Sequence, residues 1–235
     1  MMCFLEGCFP MPKQPVLVLL SGGLDSTVSL ATLMNDPTKD VLRCIAFDYG
    51  QRSWTKELKA IRNIALHYGL PMQIIKLDWL KTLVPEGYTP EFKGTATHIT
   101  DVWVPNRNGV MLNIAASIAE SLGASGVAFG ANLDEAEAGF PDNGEEFWHV
   151  LNKSLKRSTL TGVKVFAPVG DLRKVDIVRR GMRLNAPLQH IWSCYGNGDL
   201  HCGLCSSCQH LKRGMAHLGD DAPIQFASHE FSASV

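Results

Sequence analysis

The sequence of 235 residues has no apolar run near the ~20 residues that a membrane-spanning helix requires, which argues against a membrane protein. It has no basic run either. With 22 Lys and Arg against 23 Asp and Glu the net charge is −1, which argues against a chain built mainly to grip a nucleic-acid backbone. The first residues lack a basic n-region, and Glu6 and Pro10 interrupt the apolar stretch, so they do not form a secretory signal. They predict instead a loose leader over residues 1–14, with Cys3 and Cys8 as ordinary exposed or half-buried thiols and the cytoplasm as compartment. No internal repeat or low-complexity tract is present. Residues 21–27 contain no lysine and only adjacent glycines, which excludes the Walker spacing G-x-x-x-x-G-K-[ST] and disfavours kinase or GTPase chemistry.

Hydrophobic residues make up 46% and charged residues 19% of the chain. That balance suits a soluble globular protein with one sizeable core, or one domain plus a small appendage. The most informative stretch is Ser21-Gly22-Gly23-Leu24-Asp25-Ser26, which follows an apolar run at 16–20 and precedes apolar residues at helical spacing. This reads as strand, glycine turn, helix. The turn leaves backbone N–H groups free at a helix N-terminus, and the glycines let an anion approach them closely, so the expected ligand is phosphate. The plainer alternative is a helix capped by Asp25 or Ser26.

Strands are predicted at 16–20, 41–47, 72–77, 126–129 and 163–166, and helices at 28–34, 54–68, 109–122 and 145–155, with Gly123 placed to end the third helix. Strands alternating with helices imply right-handed βαβ crossovers and a parallel five-stranded sheet with helices on both faces. Ligands then sit at the carboxyl ends of the strands, where the glycine turn, residues 48–52 and residues 130–132 all fall. Residues 81–103, rich in Pro, Gly and Thr, form either an active-site flap or a surface loop. The α/β domain is expected over 15–185 and a small C-terminal segment over 186–235.

Four of seven cysteines, Cys194, Cys202, Cys205 and Cys208, lie within 15 residues. Four thiolates suit a closed tetrahedral zinc site of structural kind, with an iron–sulfur cluster as the competitor. His201 and His210 are then surplus and are expected to be solvated surface residues. Cys44 falls inside the second strand and should be buried.

The segment SGGLDS resembles the signature of the PP-loop ATP pyrophosphatases, enzymes that hold the β and γ phosphates while a substrate oxygen attacks the α phosphorus. FDYGQR at 47, VPNRN at 104, GAN at 130, GFPD at 139, the region of Lys174 and the CY-x6-CGLCSSC knot follow in the order of the QueC family, the 7-cyano-7-deazaguanine synthases. The resemblance covers about residues 16–215. It implies an adenine nucleotide alpha hydrolase-like, Rossmann-like fold with a small zinc-bound helical segment, ATP and Mg2+ as cofactors beside structural Zn2+, and a homodimer. It also implies a reaction: the carboxylate of 7-carboxy-7-deazaguanine is adenylated, ammonia displaces AMP to give an amide, and a second activation yields the nitrile.

Carried over by motif, Ser21, Gly22, Gly23, Leu24, Asp25 and Ser26 would hold the triphosphate, and Asp48, Tyr49 and Gln51 the nucleotide. Asp25, Ser26, Arg107 and Lys174 would act in catalysis, and Arg107, Asn108, Gly130, Asn132, Phe140 and Asp142 would meet the substrate. Phe140 would stack on the deazapurine and Asp142 would accept from its amino edge. Plainer readings make Arg107 a solvated helix-entry residue, Lys174 an exposed residue on a surface helix and Phe140 simple core. The chain also departs from the family pattern. Asn143 and Gly144 stand where a cysteine and an arginine are usual, Ser53 where a histidine is, and Leu211 where an arginine is; the DEAEA segment carries an extra residue. An intact ATP half beside an altered acceptor half keeps open a related activity, transfer of the activated deazaguanine acyl group to a protein amine, as in antiviral conjugation. A zinc-containing nucleic-acid-binding module with a vestigial PP-loop, or a tRNA-thiolating enzyme of the same superfamily, are further alternatives.

Overall fold

The computed structural model describes residues 12–89 and 95–227. The leader, with Cys3 and Cys8, falls largely outside them, as do residues 90–94 of the 81–103 segment. Strand β1 (Gln14–Leu19) leads through the glycine turn into helix α1 (Leu24–Met34), and β2 (Lys39–Asp48), α2 (Trp54–His67) and β3 (Met72–Lys76) follow. After three 3₁₀ turns come α3 (Arg107–Ser121), β4 (Gly126–Ala128), α4 (Leu133–Glu137), α5 (Glu145–Ser158), β5 (Lys164–Phe166), α6 (Lys174–Arg183) and α7 (Ser206–Met215). No helix among the described residues is long and apolar enough to cross a membrane.

The five strands form one parallel sheet in the order β3-β2-β1-β4-β5. Val16, Leu17 and Val18 of β1 are all buried, because a central parallel strand is covered on both faces; this is why its sequence is continuously apolar rather than alternating. Val16 and Val18 meet α1, α2, α6 and α7 through Val28, Ile61, Ile177 and Leu211. Leu17 faces the other way, toward α3 and α5, with Leu112, Ala115, Ala119 and Leu155. The chain leaves β1 toward β2 on one side and reaches β4 on the other. The crevice between the carboxyl ends of β1 and β4 is therefore the switch point at which such sheets bind ligands.

The structure adds three details to the expectation. The buried row of α3 is Met111, Leu112, Ala115, Ala116 and Ala119, with Val110, Ile114 and Ile118 at its flank and Leu122 exposed; alanines let this helix lie close to the sheet. It ends as predicted, with Gly123 at φ +70°. Residues 81–103 are not a free surface loop where described. They carry the 3₁₀ turns Leu80–Leu83, Glu86–Tyr88 and Ile99–Asp101 and bury Tyr88, Ala96 and Val102. Finally, the segment after residue 185 packs into the main core: Leu211 and Met215 of α7 join the layer formed by α1 and α6.

Candidate active site

A cavity of about 210 Å³ opens at the β1/β4 switch point, with the glycine turn as one wall. Gly22 has φ +80°, and a Cβ on it would stand 3.0 Å from the Ala60 Cβ and the Glu57 carbonyl, so glycine is needed for conformation and for space. The N-cap of α1 is Gly23, with no side-chain cap. Neither Asp25 nor Ser26 caps, contrary to the plainer reading. Ser26 Oγ instead donates to the Gly23 carbonyl (3.2 Å) and lies 3.0 Å from Ser21 Oγ, which pins the turn. The first-turn N–H groups of Asp25 and Ser26 have no acceptor within the helix. Gly130, just past the end of β4 and itself on the cavity wall, packs against the turn: a Cβ there would lie 2.5 Å from the Ser26 nitrogen. The Leu24 N–H donates to Ser193 Oγ (3.2 Å) and the Trp192 N–H to the Gly22 carbonyl (2.8 Å), so the C-terminal segment closes the turn.

From Asp25 a chain of polar contacts runs along the cavity wall. Lys174 Nζ donates to Asp25 Oδ2 (2.6 Å) and Glu135 Oε1 (2.9 Å), and Asn143 Nδ2 donates to Glu135 Oε2 (2.6 Å). Lys174 is the first residue of α6, yet its side chain is only 11% exposed, which overturns the reading of a surface lysine. Burial alone would lower its pKa; the two carboxylates reverse that and raise it. Burial likewise works against ionising Glu135, but Lys174 holds its carboxyl down to about 2. Asp25 is raised, by burial first and by the Glu135 charge beside it. Asp25 Oδ1 is buried without a partner. An unpaired hard oxygen next to free N–H groups suits a magnesium-bound triphosphate.

The remaining wall carries Tyr49, Gln51, Tyr88, Arg107, Asn108, Phe140 and Asp142. Arg107 is half-buried at the start of α3; its Nη1 donates to Tyr49 Oη (3.1 Å) and the guanidinium lies 5.8 Å from that ring. It is thus tied to the site rather than merely solvated. Tyr88, from the 81–103 segment, packs edge-on to Tyr195 at 5.3 Å and tilted to Tyr49 at 6.4 Å. Phe140 is half-buried on the cavity wall, 6.0 Å from the Trp103 ring, rather than core. Asp142 Oδ2 accepts the Asn108 N–H (2.9 Å) at the start of α3; burial raises its carboxyl.

Gly22, Asp48 and Asn132 do not line the cavity. Asp48 Oδ1 accepts the Gly50 N–H (3.2 Å) and so shapes the turn after β2. Asn132 is fully buried and caps α4 by accepting the Glu135 N–H. Gln51 does line the cavity, but its amide is committed to the Phe47 carbonyl, the Tyr49 N–H and Glu57 Oε2.

The Sγ atoms of Cys194, Cys202, Cys205 and Cys208 all lie within 4.8 Å of one another. N–H groups of Gly196 and Cys202 point at Cys194 Sγ, those of Leu204 and Cys205 at Cys202 Sγ, and that of Cys208 at Cys205 Sγ. Such donors favour thiolates, and the spacing fits one tetrahedral ion. His201 is not a surface residue. It is 4% exposed, its Nε2 accepts the Ser193 N–H (3.1 Å), and its ring lies 4.5 Å from Trp192 and 5.8 Å from Phe226. His210 is half-buried, and burial lowers its pKa.

The family profile of the queuosine biosynthesis protein QueC matches residues 15–219. The chain belongs to the QueC family. It is 43% identical over 212 residues to the 7-cyano-7-deazaguanine synthase of Carboxydothermus hydrogenoformans, covering 85% of this chain and 97% of that one. It is 44% identical over 230 residues to the 7-cyano-7-deazaguanine synthase of Bdellovibrio bacteriovorus, covering 91% and 98%. Among solved structures, the U34-tRNA thiolase NcsA from Methanococcus maripaludis with its [4Fe-4S] cluster aligns with 91% of this chain and 70% of its own at TM-score 0.46 and 18% identity, too distant to bear on the site. Within the QueC frame, the cavity also draws on residues that sequence reasoning did not place in the site: Glu57, Tyr88, Glu135, Asn143, Trp192, Ser193 and Tyr195. For Glu135 and Asn143 the signal was their place in segments that depart from the family pattern. For Ser193 and Trp192 it was adjacency to the first cysteine.

Proposed function

We propose that this protein is a 7-cyano-7-deazaguanine synthase that activates the carboxylate of 7-carboxy-7-deazaguanine with ATP. The observation that carries the reading is one cavity at the switch point in which the glycine turn, Asp25 and Lys174 share walls with Arg107, Phe140 and Asp142. The activity of the relatives named above points the same way. The N–H groups of Asp25 and Ser26 receive the outer phosphates, and Lys174 and Arg107 balance charge that grows on phosphate oxygens as pyrophosphate leaves. Asp25 would help to hold magnesium, which would neutralise phosphate charge when bound. Phe140 stacks on the heterocycle and Asp142 accepts from its amino edge. No side chain serves as a nucleophile; a substrate oxygen attacks the α phosphorus, ammonia displaces AMP, and a second activation removes the amide oxygen to give the nitrile. The residues therefore position and stabilise charge rather than form covalent intermediates.

We assign zinc to the four cysteines, because a four-iron cube holds its thiolates further apart than one ion does, and the sulfurs here fall within 4.8 Å. With four sulfur ligands the ion has no open position and is structural.

The test is incubation with ATP, Mg2+ and 7-carboxy-7-deazaguanine, with and without ammonia, following nucleotides and product masses. AMP and pyrophosphate with amide or nitrile only when ammonia is present is the expected result. ADP in place of AMP would sink the reading, and AMP accompanied by a mass increase on a protein amine would redirect it to conjugation.

A further inference from the structure

Four buried side-chain polar atoms among the described residues have no hydrogen-bond partner: Asp25 Oδ1, Tyr68 Oη, Asn132 Nδ2 and Asn143 Oδ1. Only Asp25 and Asn143 belong to the cavity wall. They are the two ends of one chain of contacts, Asp25 Oδ2 to Lys174 to Glu135 to Asn143 Nδ2. Each terminal group spends one atom on the chain and leaves the other unsatisfied. Asp25 stands at the glycine turn, where phosphate and a cation answer it. Asn143 stands at the other end, beside Asp142 and three positions on from Phe140.

An amide can be turned end for end, but here its orientation is decided. An ionised carboxylate only accepts, and Glu135 is held ionised by Lys174, so the Asn143 nitrogen must face Glu135 and the oxygen must face away. The result is a fixed carbonyl acceptor in a residue 4% exposed. A buried acceptor without a partner is costly, so the site demands a donor. Phosphate oxygens offer none; the ring N–H and exocyclic amino group of a guanine-like heterocycle do.

We propose that Asn143 is a specificity-determining residue whose Oδ1 accepts a hydrogen bond from the amino edge of the heterocyclic substrate, with Glu135 as the positioning residue that fixes the amide in that sense. This rests on the function proposed above. It extends the substrate contacts of Phe140 and Asp142 by an acceptor at a position where the chain departs from the family pattern.

The experiment compares wild type and Asn143→Ala with 7-carboxy-7-deazaguanine and with the analogue lacking the exocyclic amino group, reading AMP formation and calorimetric binding. Wild type should favour the parent by about tenfold or more, mainly in KM. In Asn143→Ala that preference should fall to within about threefold, while KM for ATP stays within about twofold of wild type. Glu135→Gln, which lets the amide turn, should also narrow the preference. Equal use of parent and analogue by wild type overturns the proposal, and this arm needs no variant to fold. Full discrimination retained by Asn143→Ala also overturns it. Wild type that forms no AMP from the parent would defeat the proposed function and this inference together, whereas normal AMP formation with unchanged discrimination in the variant defeats the inference alone.

Discussion

Lys174 is the cation shared by two carboxylates in a wall that is mostly screened from water, and its removal exposes what each contributes. Lys174→Met should leave Asp25 and the part-exposed Glu135 beside each other with no counter-charge, at a cost of about 1–3 kcal/mol in urea unfolding near neutral pH. AMP release should fall by more than about a hundredfold. The pH dependence fixes the cause. Glu135 is held down to about 2 when folded, below its ordinary carboxyl value, so its contribution is present above the unfolded pKa and is lost as pH falls toward 2. In the variant the carboxylates can take up protons at higher pH, and the stability gap to wild type should narrow as pH drops from 7 toward about 4.5. A gap independent of pH would mean that lost packing, not charge, is responsible. Cys44 titrates in the opposite range. Burial in β2 pushes its thiol up to about 12, so its contribution is complete below the ordinary thiol value near 9 and declines as pH rises toward 12. Cys44→Ala should therefore lose less stability than wild type between about pH 8 and pH 10.5. Native protein should resist iodoacetamide at Cys44 until unfolded, which mass mapping of the modified peptide would check.

At the scale of elements, the glycine turn is held in place by a neighbour on the cavity wall. Gly130 presses the end of β4 against the backbone of Ser26, and a methyl group there would come within 2.5 Å of the Ser26 nitrogen. Gly130→Ala should push the first turn of α1 away from its position, raising KM for ATP by about tenfold or more and lowering stability by about 1–3 kcal/mol. Unchanged ATP kinetics would show that the turn is set by Gly22 and Ser26 alone. The turn was legible in the sequence because its cause is local: glycines at fixed positions between an apolar strand and an apolar helix. The strands were legible for the same reason, each being a short apolar run with glycine, proline or polar residues at its ends. Glu135 was not. It lies in a five-residue helix between acidic neighbours, which reads as a solvated face, and only the fold brings Lys174 to it from 39 positions away. His201 was misread likewise: beside a metal-binding cysteine it looked surplus, and it is buried because Trp192 and Phe226, from flanking chain, close on its ring.

Over the whole molecule, the cysteine knot and the glycine turn are one structure rather than two sites. His201 lies beside Cys202 and accepts the Ser193 N–H; Ser193 lies beside Cys194 and its Oγ accepts the Leu24 N–H; Trp192 donates to the Gly22 carbonyl. A route through His201, Ser193 and Trp192 thus runs from beside the metal ligands to the first turn of α1, and Tyr195 continues it to Tyr88 over the cavity. If the ion only held the C-terminal segment together, metal loss would lower stability and leave phosphate binding intact in the protein that stays folded. The contacts imply more. Cys205→Ser should lose the metal and raise KM for ATP together. Ser193→Ala should keep one metal per chain, by elemental analysis, and still raise KM for ATP by about fivefold to tenfold, since one hydrogen bond to the turn is worth about 1 kcal/mol. A Ser193→Ala protein with full metal and wild-type ATP kinetics would show that the knot and the turn are merely neighbours. If KM rises without metal loss, the cysteines belong to the nucleotide site, because the element they fold is the one that finishes the phosphate-binding turn.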